Sequence, residues 1–501
     1  MVKPAELLKA WTTVEVLSPN PTPDKSEMED GRLIHSSDEA EPWSNPEHDR
    51  KAGENSLYWM LYLGSLDLSK ANSIILDAFP DDQSDERRPG GKKSPLAILL
   101  LDENGQPVPG KATLSSFAWG IGKLREQKIA ELVEFPGVAA SVLEGLKSRV
   151  GSQDEEGKFA PATGDDIAGA IEWLVEELNL DSALAKAEWK AARIAMRKAN
   201  ADPPEPDILN SFFLDELAAI RGAWNKKDIG VALKAYVAGQ PRQNRQDILE
   251  DKALLKNLLQ PGKFPPARWP GRGRHPLVLM QQAAVNHAIE ELDDSGLVAI
   301  NGPPGTGKTT LLRDMVAAIV AQRAAALAEF DDPEEAFSYT PMQDKKGNKE
   351  HRYLLDKTLI GYEIVVASSN NKAVENISRA IPAADALADD FDPTLRYFPS
   401  IADQLLAADE PDDRKHIYSG TCWGLSAAVT GNTKKRNAFI DIFWWKNLKE
   451  YLWAIDGRSG DHPIFAHESP PLTHQVALKA WKKAQADFGE KLAKIRGLVQ
   501  S

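Results

Sequence analysis

The densest chemistry in the sequence lies between Gly302 and Thr310, GPPGTGKTT, set within LVAINGPPGTGKTTLLRDMVAAIV. Its spacing is G-x-x-x-x-G-K-T. Glycines at 302, 305 and 307 allow backbone turns closed to residues with a Cβ, so successive N–H groups converge on a phosphate at a helix N-terminus. In such a loop the Lys308 ammonium neutralises the β- and γ-phosphates as the catalytic cation, and the Thr309 hydroxyl is the Mg²⁺ ligand. Pro303, Pro304, Thr306 and Thr310 complete the nucleotide-binding run. The chemistry implied is binding of a nucleoside triphosphate with Mg²⁺.

Such a loop has to be held between a strand and a helix. LVAIN ahead of it is a short apolar run that ends at the glycine, and after it Leu311, Leu312, Met315, Val316, Ile319 and Val320 form a helical stripe. From Leu277 to about Val429 helical and strand patterns alternate, which predicts an α/β fold: a RecA-like parallel sheet with helices on both faces. A run with five prolines and three glycines, QPGKFPPARWPGRGRHP, precedes it.

The rest of the chain is read as support. Residues 1–56 are an N-terminal arm, polar and partly disordered; 57–125 are a small β-rich domain within an α+β accessory region; 126–260 are mainly helical; 261–276 are a Pro/Gly linker. Residues 277–445 form the P-loop domain and 446–501 a helical insertion with a C-terminal helix. YWMLYLGSLDL and NSIILDAF read as strands, and Asn104-Gly105 marks a hairpin turn. DDIAGAIEWLVEEL reads as a helix, as does the alanine-rich DSALAKAEWKAARIAMRKA.

Composition sets outer limits. The chain has 501 residues and a net charge of −14, with Cys422 as its one cysteine. A lone thiol excludes a disulfide framework and fits a cytoplasmic protein, and no stretch of 18 apolar residues suits a membrane span. Acidity argues against a generally basic, polyanion-coated protein, yet it leaves room for a local nucleic-acid groove.

Two further segments carry a resemblance. In LVLMQQAAVNHAI, Gln281 stands just ahead of a helix with Ala284 and Val285 following, and in YEIVVASSNNKAVENIS a strand runs into Ser368, Ser369, Asn370 and Asn371, then Ala373 and Val374. With GPPGTGKTT these resemble superfamily 1 DNA/RNA helicases of the Upf type, over about 277–430, while the loop alone is also similar to some AAA+ ATPases. The resemblance implies that the Gln281 amide reads the N6 and N7 edge of adenine, so that the nucleotide is ATP. It implies that Ser368, Ser369, Asn370 and Asn371 touch the backbone of a single strand of DNA or RNA. Asn370 departs from the serine found in many members, which leaves the contacting residue of that turn open. Trp423-Gly424 and a basic loop at Lys434, Lys435 and Arg436 continue the similarity, whereas Trp444, Trp445 and Trp453, near Phe439 and Phe443, read as core.

A complete motor also needs an aspartate and a glutamate at the end of an apolar strand. After the loop the acidic candidates are Asp389-Asp390, Asp409-Glu410, Asp412-Asp413 and Asp441, and none follows a β-rich run. AILLLDENG at 97–105 has the pattern but precedes the loop, and its acids suit a hairpin turn. The expectation is therefore an ATP-binding amino-terminal part of a helicase, with weak or no hydrolysis by this chain alone. The alternatives are a nucleotide-dependent interaction protein completed by a partner polypeptide, and an AAA+-type ATPase.

Overall fold

The computed structural model describes residues 3–21, 34–37, 40–44, 55–80, 92–151, 159–197, 203–206, 209–239, 247–271, 277–303, 305–343, 347, 349–368, 371–389, 396–408, 421–458, 468, 471 and 473–500. They fall into two units, Met1–Gln240 and Pro241–Ser501. The Pro/Gly run 261–276 lies inside the second.

The first unit is built around a six-stranded antiparallel sheet: β1 (Ile34–Ser36), β2 (Asn55–Asp67), β3 (Lys93–Ser94), β4 (Ala97–Asp102), β5 (Pro107–Leu114) and β6 (Ala185–Arg197). The order is β1-β6-β2-β4-β5, with β3 also on β2. Because side chains alternate along a strand, β2 buries Leu57, Trp59, Leu61 and Leu63 on one face and Met60 and Tyr62 on the other. The first face is covered by helices Ser116–Arg125, Phe135–Val150 and Gly164–Glu177, through Phe117, Ile121, Leu146, Ile171 and Leu174. Double burial explains why β2 and β4 read as almost unbroken apolar runs.

The turn after β4 forms as the Asn-Gly pair predicts. The Asp102 carboxylate accepts from the N–H groups of Asn104 and Gln106, both at 2.9 Å, and Gly105 sits at φ +77°. Asp102 is thus a turn residue. The helix Gly164–Glu177 likewise starts in a capping box between Thr163 and Asp166.

Three expectations need correction here. NSIILDAF is not a strand but part of a helix, Leu68–Ala78, which Asp67 starts by accepting from the N–H groups of Ser69 and Lys70. Its Ala71, Ile74, Ile75 and Ala78 recur at helical spacing toward the core. Conversely, AKAEWKAARIAMR, read as an alanine-rich helix, is strand β6. It pairs with β2 from Asn55↔Arg197 to Leu66↔Ala185 and with β1 on its other edge. Helix propensity among alanines is worth a few tenths of a kcal/mol per residue, and two ladders with packing on both faces outweigh it. The arm, finally, is pinned where it is described: Trp43 is buried, donates its indole N–H to the Ala162 carbonyl at 2.9 Å and packs on Trp59 and Trp189.

The second unit departs from the expected parallel sheet. Its strands among the described residues are one antiparallel hairpin, β7 (Phe337–Gln343) with β8 (Lys349–Leu355). Among the described residues LVAIN at 297–301 and IVVAS at 364–368 belong to no β-ladder, and Ile364 and Val365 are 42% and 90% exposed. A parallel ladder forms only where neighbouring strands lie side by side under cover of helices. Here a cavity of about 500 Å³ separates the helix after the loop, at Leu312 and Val316, from Ile364–Ser368 and Ser426–Asn432. The remaining helices of this unit include Leu279–Glu291, Lys308–Ala328, Asn371–Ala380, Pro399–Ala407 and the C-terminal His474–Gln500. No helix among the described residues is long and apolar enough to cross a membrane.

Two outcomes follow for stability and reactivity. A Cβ on Gly122 would land on the Leu178 carbonyl oxygen, so Gly122→Ala should destabilise the first unit by about 1–3 kcal/mol, read as a lower urea midpoint. Cys422 is buried, and burial followed by the neighbouring Asp403 carboxylate pushes its thiol up to about 12. It should resist a thiol reagent such as DTNB at pH 8 until the chain is unfolded in denaturant.

Candidate phosphate-binding site

The loop is anchored from outside by one side chain. Gln281 lies in the first turn of helix Leu279–Glu291, where its Oε1 accepts from the Val278 N–H at 3.1 Å and its Nε2 donates to the Thr306 carbonyl at 2.8 Å. A single amide therefore ties the start of that helix to the glycine loop. The two helices share a small apolar core, with Leu277, Val285 and Leu311 buried and Met315 packed against them, and this contact sets the distance Gln281 has to span.

Within the loop, Thr306 donates its hydroxyl to the Pro303 carbonyl at 2.8 Å. Gly302 faces that hydroxyl so closely that a Cβ would stand 2.7 Å from Oγ1. Gly305 and Gly307 sit at φ +83° and +76°, the left-handed region that other residues enter at a cost of about 1–3 kcal/mol. A Cβ on Gly307 would in addition collide with Nε2 of Gln281. The Lys308 ammonium folds back to donate to the carbonyls of Gly302 and Pro303. Thr309 and Thr310 follow, exposed, in the first turn of the helix Lys308–Ala328, whose first N–H groups have no partner within the helix. Pro304 lies outside the described residues.

These features suit a phosphate group. The helix N-terminus provides free N–H donors and the positive end of a dipole, the glycine backbone can approach closely, and a cation stands beside them. Thr309 sits where a hydroxyl can meet a metal bound to that phosphate. In residue type the loop thus fits a nucleotide phosphate, with Thr309 as the residue that would hold a metal ion.

A second anchor was not read from the sequence. Asp314, two turns into the loop helix, is buried and accepts from the Trp269 N–H at 2.6 Å. Trp269 in turn donates its indole N–H to the Ala386 carbonyl and meets the ring of Trp423, which donates to the Ile381 carbonyl. The Pro/Gly run and the Trp423-Gly424 segment together strap the loop helix to the region following helix Asn371–Ala380. An acid within an otherwise apolar helical stripe was the available signal.

The residues expected to touch a polynucleotide are only partly described. Ser368 is exposed at the end of the extended run, Asn371 opens its helix, and Ser369 and Asn370 lie outside the described residues. The basic loop is corrected to a helix, Thr433–Phe439, capped by Asn432. Lys435 pairs with Glu375 at 3.6 Å, and Arg436 donates to the Thr430 carbonyl and the Thr433 hydroxyl. Burial opposes ionisation of Glu375, but Lys435 and Arg379 hold its carboxyl below the usual value. Two of these cations therefore make local structural contacts.

Among the acidic candidates, Asp441 pairs with Lys446 at 2.6 Å. Asp390, Asp409, Glu410, Asp412 and Asp413 lie outside the described residues. Trp444, Trp445 and Trp453 are corrected from core to surface, at 40%, 57% and 37% exposure. Their helical rod is apolar on two sides, and its inner side is taken by Ile442 packed against Ile401.

Residues 279–384 match the model of a family described as novel STAND NTPase 3. The match runs from the Gln281 helix through the loop to just past helix Asn371–Ala380, and it marks this segment as similar to a P-loop NTPase-type domain. No curated protein and no solved structure matches the chain.

The loop geometry makes Gly307 the least replaceable of its glycines. Gly307→Ala should weaken binding of a fluorescent nucleoside triphosphate by roughly tenfold or more, as strain of about 1–3 kcal/mol implies, while circular dichroism stays unchanged. Gly305→Ala, with open space around its Cβ, should lose less.

Proposed function

We propose that this chain is an ATP-binding P-loop NTPase module that uses Mg²⁺ and works as part of a nucleic-acid motor. The observation that carries the nucleotide reading is the unit formed by Gln281, the three glycines and Lys308. It is supported by the family match over the same residues. Thr309 would hold Mg²⁺, which would supply charge neutralisation at the β- and γ-phosphates. The chain's own contribution is to orient: the loop N–H groups fix the phosphates, and Lys308 exchanges two backbone carbonyls for phosphate oxygens. That exchange couples nucleotide occupancy to the conformation of the loop.

The motor reading rests on the segment that follows. Ile364–Ser368 and Val374 line the same cavity as Leu312 and Val316 of the loop helix, which supports a coupling between that segment and the helix that starts at the phosphate loop. Small hydroxyl and amide groups in such a turn suit sequence-independent contacts to a strand backbone. This favours a superfamily 1 helicase-type engine, whose catalytic acids are not identified among the described residues. An NTPase of the matched family's kind that acts as a nucleotide-dependent interaction protein with a partner chain is the second reading, and an AAA+-type ATPase the third.

Titration with a fluorescent ATP analogue tests the core of the proposal. Lys308→Ala should weaken binding about 10- to 100-fold, the loss expected for a charge-assisted contact of about 1.5–3 kcal/mol, and EDTA should weaken it further. Gln281→Ala should narrow the preference for ATP over GTP, and an unchanged preference would remove the adenine-reading role. Phosphate release by the parent chain no faster than by Lys308→Ala is the expected result, whereas rapid Lys308-dependent turnover would show that the catalytic acid lies within these 501 residues.

A further inference from the structure

The rod Thr433–Ile455 is helical throughout, with a π-helical middle at Ile440–Leu448 between two α-helical ends. Its inner side is well satisfied. Ile442 and Asn447 are buried there, and the Asn447 side chain donates to the Ile442 carbonyl at 2.6 Å and exchanges hydrogen bonds with Gln404. Its outer side leaves Ile440, Trp444, Trp445, Leu452, Trp453 and Ile455 exposed, each between 37% and 57%. A tryptophan carries roughly 150–250 Å² that is normally buried, so two or three side by side in water mark a binding surface.

The arrangement of charge narrows the occupant. The Lys449 ammonium lies 5.2 Å from the ring centroid of Trp445 and 4.1 Å from that of Trp453, so two indoles flank one cation. Residues 431–458 carry six basic and three acidic side chains in a chain of net charge −14. A purely apolar protein face laid over this array would bury the ammonium without a counter-ion, which is strongly unfavourable. The fitting ligand instead offers flat π-faces on either side of an anion. An unpaired polynucleotide strand repeats that pattern as base, phosphate, base, whereas a duplex hides its base faces in the stack.

We infer that the Trp445–Lys449–Trp453 array is a stacking site for the bases of a single-stranded nucleic acid, with Lys449 meeting the phosphate between them. This rests on the nucleic-acid reading proposed above and gives it a surface separate from the turn at 368–371. Either deoxyribose or ribose strands satisfy the chemistry.

The test uses the full chain and fluorescein-labelled dT20, U20 and a 20-base-pair duplex, with binding read by anisotropy. The parent should bind dT20 or U20 more tightly than the duplex, and the better of the two strands identifies the source. Trp445→Ala with Trp453→Ala should weaken strand binding about tenfold or more, given about 1–3 kcal/mol per stacked base. Replacing both by phenylalanine should keep most of the affinity, and Lys449→Gln should reduce its salt dependence. Nucleotide binding by all these variants should match the parent, which also reports that they fold. Unchanged strand affinity in the double alanine variant, equal affinity for the duplex, or equal competition by polyglutamate would overturn the inference. Failure of the ATP reading is seen separately, because Lys308→Ala would then leave nucleotide binding unaltered while the oligonucleotide results stand.

Discussion

One glutamine amide carries the geometry of the candidate site. By accepting from Val278 and donating to Thr306, Gln281 joins a helix start to a loop that contains two left-handed glycines and has few contacts of its own. A loop of this kind has to present N–H groups in a fixed array, and glycine makes it conformationally free in the unfolded chain. The amide and the buried Asp314–Trp269 bond hold the two ends of the loop helix system against that freedom. Remove either, and the N–H groups lose the preorganisation that favours a phosphate over water.

The two units solve the burial of β-strands differently. In the first, β2 and β6 lie inside a ladder with cores on both faces, so their backbones are paired and their apolar side chains covered. In the second, LVAIN and IVVAS are equally apolar but belong to no ladder among the described residues, much of their surface is exposed, and a cavity lies beside the latter. The same economy governs the rod at 433–455: one side is closed by Ile401 and Gln404, and the other presents indoles around a lysine.

Much of the site was legible in the sequence because its chemistry is local. The glycine spacing, Lys308 and Thr309 fall within nine residues, and the helix that follows is specified by its own apolar period. The Asn104-Gly105 turn and the capping box at Thr163 are local in the same sense. Asp314 and Trp269 were not legible, since their partners stand 45 and 117 residues away in the chain. The tryptophans at 444, 445 and 453 were misread because composition states how apolar a residue is and says nothing of which side of a helix finds a neighbour.

The sequence by itself determined the phosphate loop, the helix that follows it, the hairpin at Asn104-Gly105 and the C-terminal helix, all of which follow from spacing within a few turns of chain. Only the tertiary structure decided that AKAEWKAARIAMR is a strand, that NSIILDAF is a helix, that Gln281 is tied to Thr306, and that LVAIN and IVVAS belong to no ladder among the described residues. The physical reason is common to these cases. Intrinsic preferences differ by less than about 1 kcal/mol per residue, so a ladder or a packed face contributed by residues far along the chain outweighs them.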